Sequence, residues 1–139
     1  MIILDTNVIS ELMKIKPASG VFGWVHGWRA DELFTTAVNQ AEVLFGLAVM
    51  PAGRKKELLR DGAIRMFEQQ FRGRILAFDH EAARSYADLV AGRRRAGRPI
   101  KEFDAQIASI ALRRGMAVAT RDTDDFEDCG LQVVNPWTA

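Results

Sequence analysis

Short apolar segments alternate with longer segments of helical periodicity, and this alternation constrains the fold more than any other feature of the chain. Runs rich in apolar and β-branched residues predict five strands, at residues 2–4, 33–36, 75–78, 116–119 and 131–134. Apolar residues at helical spacing predict helices at residues 7–16, 21–28, 38–50, 55–71, 83–97 and 101–115. Strands joined by helices imply right-handed crossovers. We therefore expect an α/β fold, an α/β/α sandwich with a mostly parallel sheet of about five strands.

The length of 139 residues indicates a single domain over residues 1–139. Nineteen Lys and Arg against 18 Asp and Glu give a net charge of +1, which neither requires nor excludes a nucleic-acid partner. No window approaches the ~20 apolar residues of a membrane span, and the start lacks the pattern of a secretion signal. We expect a cytoplasmic protein that does not associate with a membrane.

Cysteine and histidine offer little for a metal or nucleophilic site. Cys129 is the only cysteine, which excludes an intrachain disulfide and a multi-cysteine zinc site. We expect it to be a small packing residue. His26 and His80 are far apart in the sequence, so neither is assigned a catalytic role.

Carboxylates stand where the predicted sheet would bring them to one edge. Asp5 follows the first strand directly, and three acids follow the fourth strand within residues 122–125. Glu42 and Asp104 fall in the first turns of two predicted helices. Ligands of parallel sheets bind beyond the carboxyl ends of the strands. Carboxylates gathered there would repel one another without a cation, and Mg²⁺ suits a site made of oxygen ligands.

Each carboxylate also has a purely structural interpretation. Glu42 could complete a capping box with Asn39, and Asp104 could stabilise a helix N-terminus. Asp122 and Asp125 could be turn and N-cap residues. Asp5 is the hardest to explain in this way, because a charge directly after a buried strand needs a partner or a metal ion.

Four segments together carry a family resemblance: residues 3–8, 41–46, 104–108 and 119–126. Over essentially its whole length the chain resembles a PIN-domain protein, in particular the VapC-type toxins of type II toxin–antitoxin modules and their FitB-like branch. The resemblance implies a single PIN-like domain with metal-dependent endoribonuclease activity. It also implies inhibition by a cognate antitoxin encoded beside it, a homodimer, and binding of promoter DNA only through the antitoxin.

The resemblance assigns the site residue by residue. It implies a catalytic set of Asp5, Glu42, Asp104, Asp122 and Asp125, with Mg²⁺ or Mn²⁺ as the cofactor. Asp5, Asp104 and Asp122 are the expected metal ligands, although related proteins often carry Asn at the position of Asp122. Thr6, Asn7 and Thr120 match polar positions that support the acidic cleft through hydrogen bonds; ordinary capping at strand-to-helix turns is the alternative.

Two further groups of residues could contact partners. Arg93, Arg94, Arg95, Arg98 and Lys101 precede Asp104 and could form a basic rim that binds RNA phosphates. The alternative is that they stay solvated and complement a helix dipole. The stripe Val21, Trp24, Val25 and Trp28 could form an interface or pack in the core.

The sequence analysis therefore favours a toxin that hydrolyses a phosphodiester bond in a structured RNA with a metal-activated water. The alternatives are an RNA-processing nuclease without an antitoxin and a catalytically inactive scaffold that binds RNA or protein. A phosphoacceptor signalling domain with Asp79 as acceptor is disfavoured. Such a domain would carry adjacent acids after the first strand, where this chain has Asp5, Thr6 and Asn7.

Overall fold

The predicted order of strands and helices is confirmed in a computed structural model that describes residues 1–139. The strands are β1 (Ile2–Leu4), β2 (Leu33–Thr36), β3 (Ile75–Leu76), β4 (Ala117–Ala119) and β5 (Val133–Val134). The helices are α1 (Thr6–Met13), α2 (Ser19–His26), α3 (Ala37–Ala48), α4 (Arg54–Ile64), α5 (His80–Arg95) and α6 (Glu102–Arg114). None of these helices combines the length and the apolarity needed to cross a membrane.

The five strands form one sheet in the order β3-β2-β1-β4-β5, and every pair is parallel. β1 is central: Ile2 pairs with Leu33 of β2 on one side, and Ile3 pairs with Val118 of β4 on the other. The carboxyl ends of β1, β2 and β4 are therefore neighbours at one edge of the sheet. The prediction of a parallel sheet is confirmed.

Alternation along β1 divides the apolar core into two layers. Ile2 and Leu4 belong to a cluster with buried residues of α1, α2, α3 and α4. Ile3 belongs to a second cluster, to which α6 contributes the most residues and which includes Cys129. This arrangement confirms the α/β/α sandwich and the packing role of Cys129. Val21 and Val25 of α2 are buried in the first cluster, and Trp24 and Trp28 pack against it, which supports the core interpretation of that stripe.

The helix predicted at residues 55–71 is present, but it changes from α-helical to π-helical geometry in its last part. α4 ends at Ile64, and Arg65–Gln70 form a wider turn in which the backbone N–H of Phe71 donates to the carbonyl of Met66, 2.8 Å away. The wider turn brings Met66, Phe67 and Phe71 into the first core cluster together. Regular helical spacing would not place residues that are one and five positions apart on the same face.

The two edge strands are shorter than predicted. β3 stops at Leu76, since Asp79 already caps α5 by accepting a hydrogen bond from the backbone N–H of Ala82 at 2.9 Å. β5 begins only at Val133, after Gly130 with a φ of +74°. Each edge strand has only one neighbouring strand. The apolar residues outside the paired segments therefore have no strand on the other side that would keep them extended by hydrogen bonds. Asp79 is a capping residue, which removes it as an acceptor candidate.

Candidate metal centre and nuclease cleft

Asp5 lies at the carboxyl end of β1 and is 6% exposed. Its Oδ1 accepts a hydrogen bond from Nδ2 of Asn39 at 3.0 Å, and its Oδ2 accepts one from Oγ1 of Thr120 at 2.7 Å. Asn39 comes from α3, which follows β2, and Thr120 follows β4 directly. The two neighbouring strands therefore deliver donors to the carboxylate at the end of the central strand.

Asn39 is a residue whose role in the site the sequence analysis missed. It is fully buried, and its side-chain amide donates to Thr6 Oγ1 at 3.0 Å as well as to Asp5. Its backbone N–H donates to Thr36 Oγ1 at 3.1 Å, so Thr36 caps α3. The proposed capping box of Asn39 with Glu42 is therefore wrong. The helix starts directly after β2, which places Glu42 in its second turn.

Glu42 belongs to the same hydrogen-bond chain. Thr6 Oγ1 accepts from Asn39 and donates to Glu42 Oε1 at 2.7 Å. Glu42 is half-buried. Burial raises the pKa of its carboxyl, and the nearby charge of Asp5 raises it further, against the lowering effect of the Thr6 hydrogen bond. Thr6 therefore supports the cleft as the resemblance implied.

Asn7 fixes the segment that follows β4. Its Nδ2 donates to Thr120 Oγ1 and to Asp122 Oδ2, both at 3.1 Å. Its Oδ1 accepts the backbone N–H of Arg121, also at 3.1 Å. The side chain of Asp122 makes no capping hydrogen bond with the short helical turn Thr123–Phe126. Asp122 therefore occupies the N-cap position as the structural interpretation expected, but its carboxylate is bound by Asn7 and does not cap the turn.

Asp104 lies in the first turn of α6 and is half-buried. Burial is the main reason that its pKa rises to about 7, and the charges of Asp5, Asp125 and Glu42 add to this effect. A carboxylate whose main role was to stabilise a helix N-terminus would have a lowered pKa. The purely structural interpretation of Asp104 therefore conflicts with its surroundings.

The pKa of Asp5 is also raised, mainly by burial, although hydrogen bonds from Thr120, Thr6 and Asn39 lower it. Three carboxyl groups thus share a region in which negative charge is insufficiently compensated. A cation bound among them would favour the ionised form of all three.

All five predicted catalytic carboxylates line one cleft of about 730 Å³: Asp5, Glu42, Asp104, Asp122 and Asp125. Its lining includes no histidine or cysteine, so every strong candidate donor is an oxygen, as Mg²⁺ prefers. No three such acidic side chains are arranged to hold an ion by themselves. These residues fit a cation that takes few protein ligands and keeps several waters.

The predicted basic rim needs correction at two positions. Arg93 is 6% exposed, and its guanidinium donates to the carbonyls of Arg98 and Glu127. Arg98 forms ion pairs with Glu127 and Asp128. Both arginines are committed to contacts within the chain, because the turn after Phe126 packs against the end of α5. These contacts within the chain argue against Arg93 and Arg98 as residues that bind RNA.

The other basic candidates differ in position. Lys101 lines the cleft, whereas Arg94 is exposed but does not line it. Lys14 and Arg121 also line the cleft, and the sequence analysis did not select them. The position of Arg121 beside Asp122 was the one available signal.

A parallel sheet with an acidic cleft at its carboxyl edge defines a class of α/β domains suited to binding a divalent cation, and comparison with known proteins identifies the family. The model of the PIN-domain family matches residues 2–130. The chain belongs to the PIN-domain family, and within it to the VapC and FitB group.

Two relatives and one solved structure support this placement. The VapC ribonuclease Y4jK of Sinorhizobium fredii is 44% identical over 99% of this chain and 98% of its own. The toxin FitB of Neisseria gonorrhoeae is 36% identical over 99% of both chains. The structure of FitAB bound to an IR36 DNA fragment superposes with a TM-score of 0.90 at 36% identity, covering 99% of this chain and 96% of the other.

Proposed function

We propose that this protein is the toxin of a type II toxin–antitoxin module and a Mg²⁺- or Mn²⁺-dependent endoribonuclease that cuts a structured RNA. The observation that carries the proposal is that all five predicted carboxylates lie among the seven that line one cleft, and that three of the five have a raised pKa. The names of the relatives, a VapC ribonuclease and a toxin, support the same activity. An RNA substrate implies action in the cytoplasm.

Asp5, Asp104 and Asp122 are the residues that would hold the cation, some of them through its bound waters, since no three acidic side chains are arranged to hold an ion directly. A bound Mg²⁺ or Mn²⁺ supplies charge neutralisation at the phosphodiester oxygens and lowers the pKa of a coordinated water. The hydrogen bonds from Asn39 and Thr120 hold Asp5 in one orientation, and Asn7 does the same for Asp122. A fixed ligand geometry of this kind lowers the cost of assembling the site.

Hydrolysis requires that a water oxygen bonds to phosphorus while the bond from phosphorus to the leaving oxygen breaks. The attacking water must lose a proton, and the leaving oxygen must gain one. The carboxylates of Glu42 and Asp125, which line the cleft beside the proposed ligands, are placed to accept the proton from the water. Thr6 donates its hydrogen bond to Oε1 of Glu42, so that bond does not involve Oε2 of the same carboxylate.

We also propose a cognate antitoxin as partner, with promoter DNA contacted through the antitoxin, and a homodimer as the unit of assembly. The support is the solved FitAB structure on a DNA fragment, whose FitB-type fold this chain shares over nearly its whole length. A small reading frame next to the gene would distinguish this from an RNA-processing nuclease without an antitoxin.

Cleavage of total cellular RNA by the purified protein tests the activity. The reactions contain Mg²⁺ or Mn²⁺, with EDTA and Asp104→Asn as controls. We expect discrete fragments that require the metal and disappear in both controls. Intact RNA under every metal condition would contradict the nuclease and favour a scaffold.

A further inference from the structure

Arg121 and Trp137 touch each other within the lining of the cleft. The guanidinium carbon of Arg121 lies 4.9 Å from the centroid of the Trp137 ring. The partly buried Trp137 packs against the first core cluster, and its backbone N–H donates to Asn135 Oδ1 at 2.9 Å. The indole is thus a fixed platform against which the guanidinium rests.

The backbone of Arg121 is also fixed, whereas its charge forms no ion pair and only adds to the effect of Lys14 in lowering the pKa of the Glu11 carboxyl. The backbone N–H of Arg121 donates to Asn7 Oδ1, and the next residue is the proposed metal ligand Asp122. The side chain is exposed, and none of the ion pairs in the chain includes it. An arginine in a cleft rich in carboxylates that pairs with none of them is available for a ligand.

The stacked arrangement suits one chemical group in particular. A guanidinium that lies against a ring keeps its in-plane N–H donors free, and these donors match the oxygens of a phosphate in a bidentate manner. The ring also restricts the side chain before binding, which reduces the entropy lost when the ligand binds. The other basic lining residues differ: Lys14 is paired with Glu11 at 3.0 Å, and Lys101 stacks on no ring.

We infer that Arg121, oriented by Trp137, binds the RNA phosphate next to the one that is cut. The inference rests on the proposed ribonuclease function and adds a substrate contact to the same cleft. Arg121 then fixes the register of the RNA strand relative to Asp122, and Trp137 acts as its positioning residue. The contact is made to the RNA backbone and not to a base, so it contributes to affinity equally for every RNA sequence.

Binding and cleavage of one fluorescent RNA hairpin with an unpaired loop test the inference. Fluorescence anisotropy gives Kd in Ca²⁺ over a series of salt concentrations, and a gel assay in Mg²⁺ gives kcat and KM. The variants are Arg121→Ala, Arg121→Lys, Trp137→Phe and Trp137→Leu. Arg84→Ala is the matched control, because Arg84 is exposed and does not line the cleft.

We expect Arg121→Ala to raise Kd and KM about tenfold, while kcat changes little. The slope of log Kd against log salt should fall by about 0.7, the value for one lost contact to a single-strand phosphate. Arg121→Lys should keep the salt slope and recover part of the affinity. Trp137→Phe should raise Kd less than Trp137→Leu, and both should keep the salt slope. If Arg121 only packed against Trp137, the salt slope would not fall in Arg121→Ala and stay unchanged in Arg121→Lys.

The outcomes distinguish this inference from the proposed function. Cleavage by the wild type with unchanged Kd, KM and salt slope in Arg121→Ala overturns the phosphate contact and leaves the nuclease standing. If the wild type does not cleave the hairpin, a higher Kd and a smaller salt slope in Arg121→Ala still support the contact, and the assay on total cellular RNA decides the nuclease. Absence of hairpin binding by the wild type overturns the phosphate contact.

Discussion

The buried amide of Asn39 donates a hydrogen bond to the carboxylate of Asp5 over 3.0 Å, although 34 positions separate the two residues in the sequence. The same amide donates to Thr6, which donates to Glu42. One neutral side chain thus connects two of the proposed catalytic carboxylates. The geometry of the cleft depends on a donor at this position.

Replacing Asn39 by Asp keeps the shape of the side chain but removes the donor and adds a carboxylate beside Asp5. We expect the free energy of unfolding at pH 7 to fall by about 2 kcal/mol, because a buried acceptor loses its donor and two like charges meet. We expect cleavage to fall at least tenfold. Urea unfolding and the RNA cleavage assay measure the two effects.

Gln40→Glu is the matched control for Asn39→Asp, since it adds the same charge to the neighbouring residue of α3, and Gln40 does not line the cleft. Equal losses in both variants would show that the added charge, and not the lost hydrogen bond, is responsible.

The metal-free protein should lose stability as the pH rises. The pKa of Asp104 is raised from 3.8 to about 7, so the folded state keeps a proton that the unfolded state releases. Stability is therefore greatest below the unfolded pKa and falls as the pH rises from about 4 to about 7. We expect a loss of about 1 kcal/mol, well below the full shift, because Asp104 is half exposed and screened by solvent.

Unfolding in EDTA over this pH range measures the effect, and Asp104→Asn should flatten the curve. Asp5 and Glu42 act in the same direction, since the pKa of each is also raised. Mg²⁺ should restore stability at pH 7 and above. Glu11 and Asp31 act in the opposite direction, because the pKa of each is lowered, so the test is the difference between the wild type and Asp104→Asn. The same dependence of stability on pH in both proteins would contradict the described charge balance of the cleft.

The three acids after β4 should differ in importance. Asp122 and Asp125 line the cleft, whereas Asp124 is exposed and does not. We expect Asp122→Ala to lower kcat the most, Asp125→Ala to lower it less, and Asp124→Ala to leave it within about twofold, as expected for a surface substitution. Metal titrations of the cleavage rate measure the order. A stronger effect of Asp125→Ala would assign the ligand position to Asp125.

Arg93→Met should lower the free energy of unfolding by about 3 kcal/mol. Arg93 is buried and holds the carbonyls of Arg98 and Glu127, which would lose their donor in a place with little water. Thermal and urea unfolding measure the loss. Arg94→Met is the control, because the neighbouring Arg94 is exposed. Equal stability of the two variants would contradict the structural role of Arg93.

Much of the fold and of the acidic cleft could be predicted from the sequence. The strands and helices could be recognised because apolar periodicity is set by residues that are close in the sequence. The carboxylates at the strand ends could be recognised because they directly follow those strands. The predicted boundaries of helices and strands were inaccurate where the spacing of apolar residues does not determine the local geometry. At residues 65–70 the chain leaves regular helical geometry because Met66, Phe67 and Phe71 all pack into the core.

The sequence by itself determined the α/β alternation, the resemblance to PIN-domain proteins and five of the seven acids of the cleft. Only the tertiary structure decided which polar residue binds which acid, and it added Asn39 to Thr6, Asn7 and Thr120. Thr120 meets Asp5 across 115 positions, and Arg93 meets Glu127 across 34. Such contacts depend on how the crossovers bring strand ends and turns together. Local periodicity does not encode them, so the sequence left Asn39 as a possible cap and Arg93 as a possible member of a basic rim.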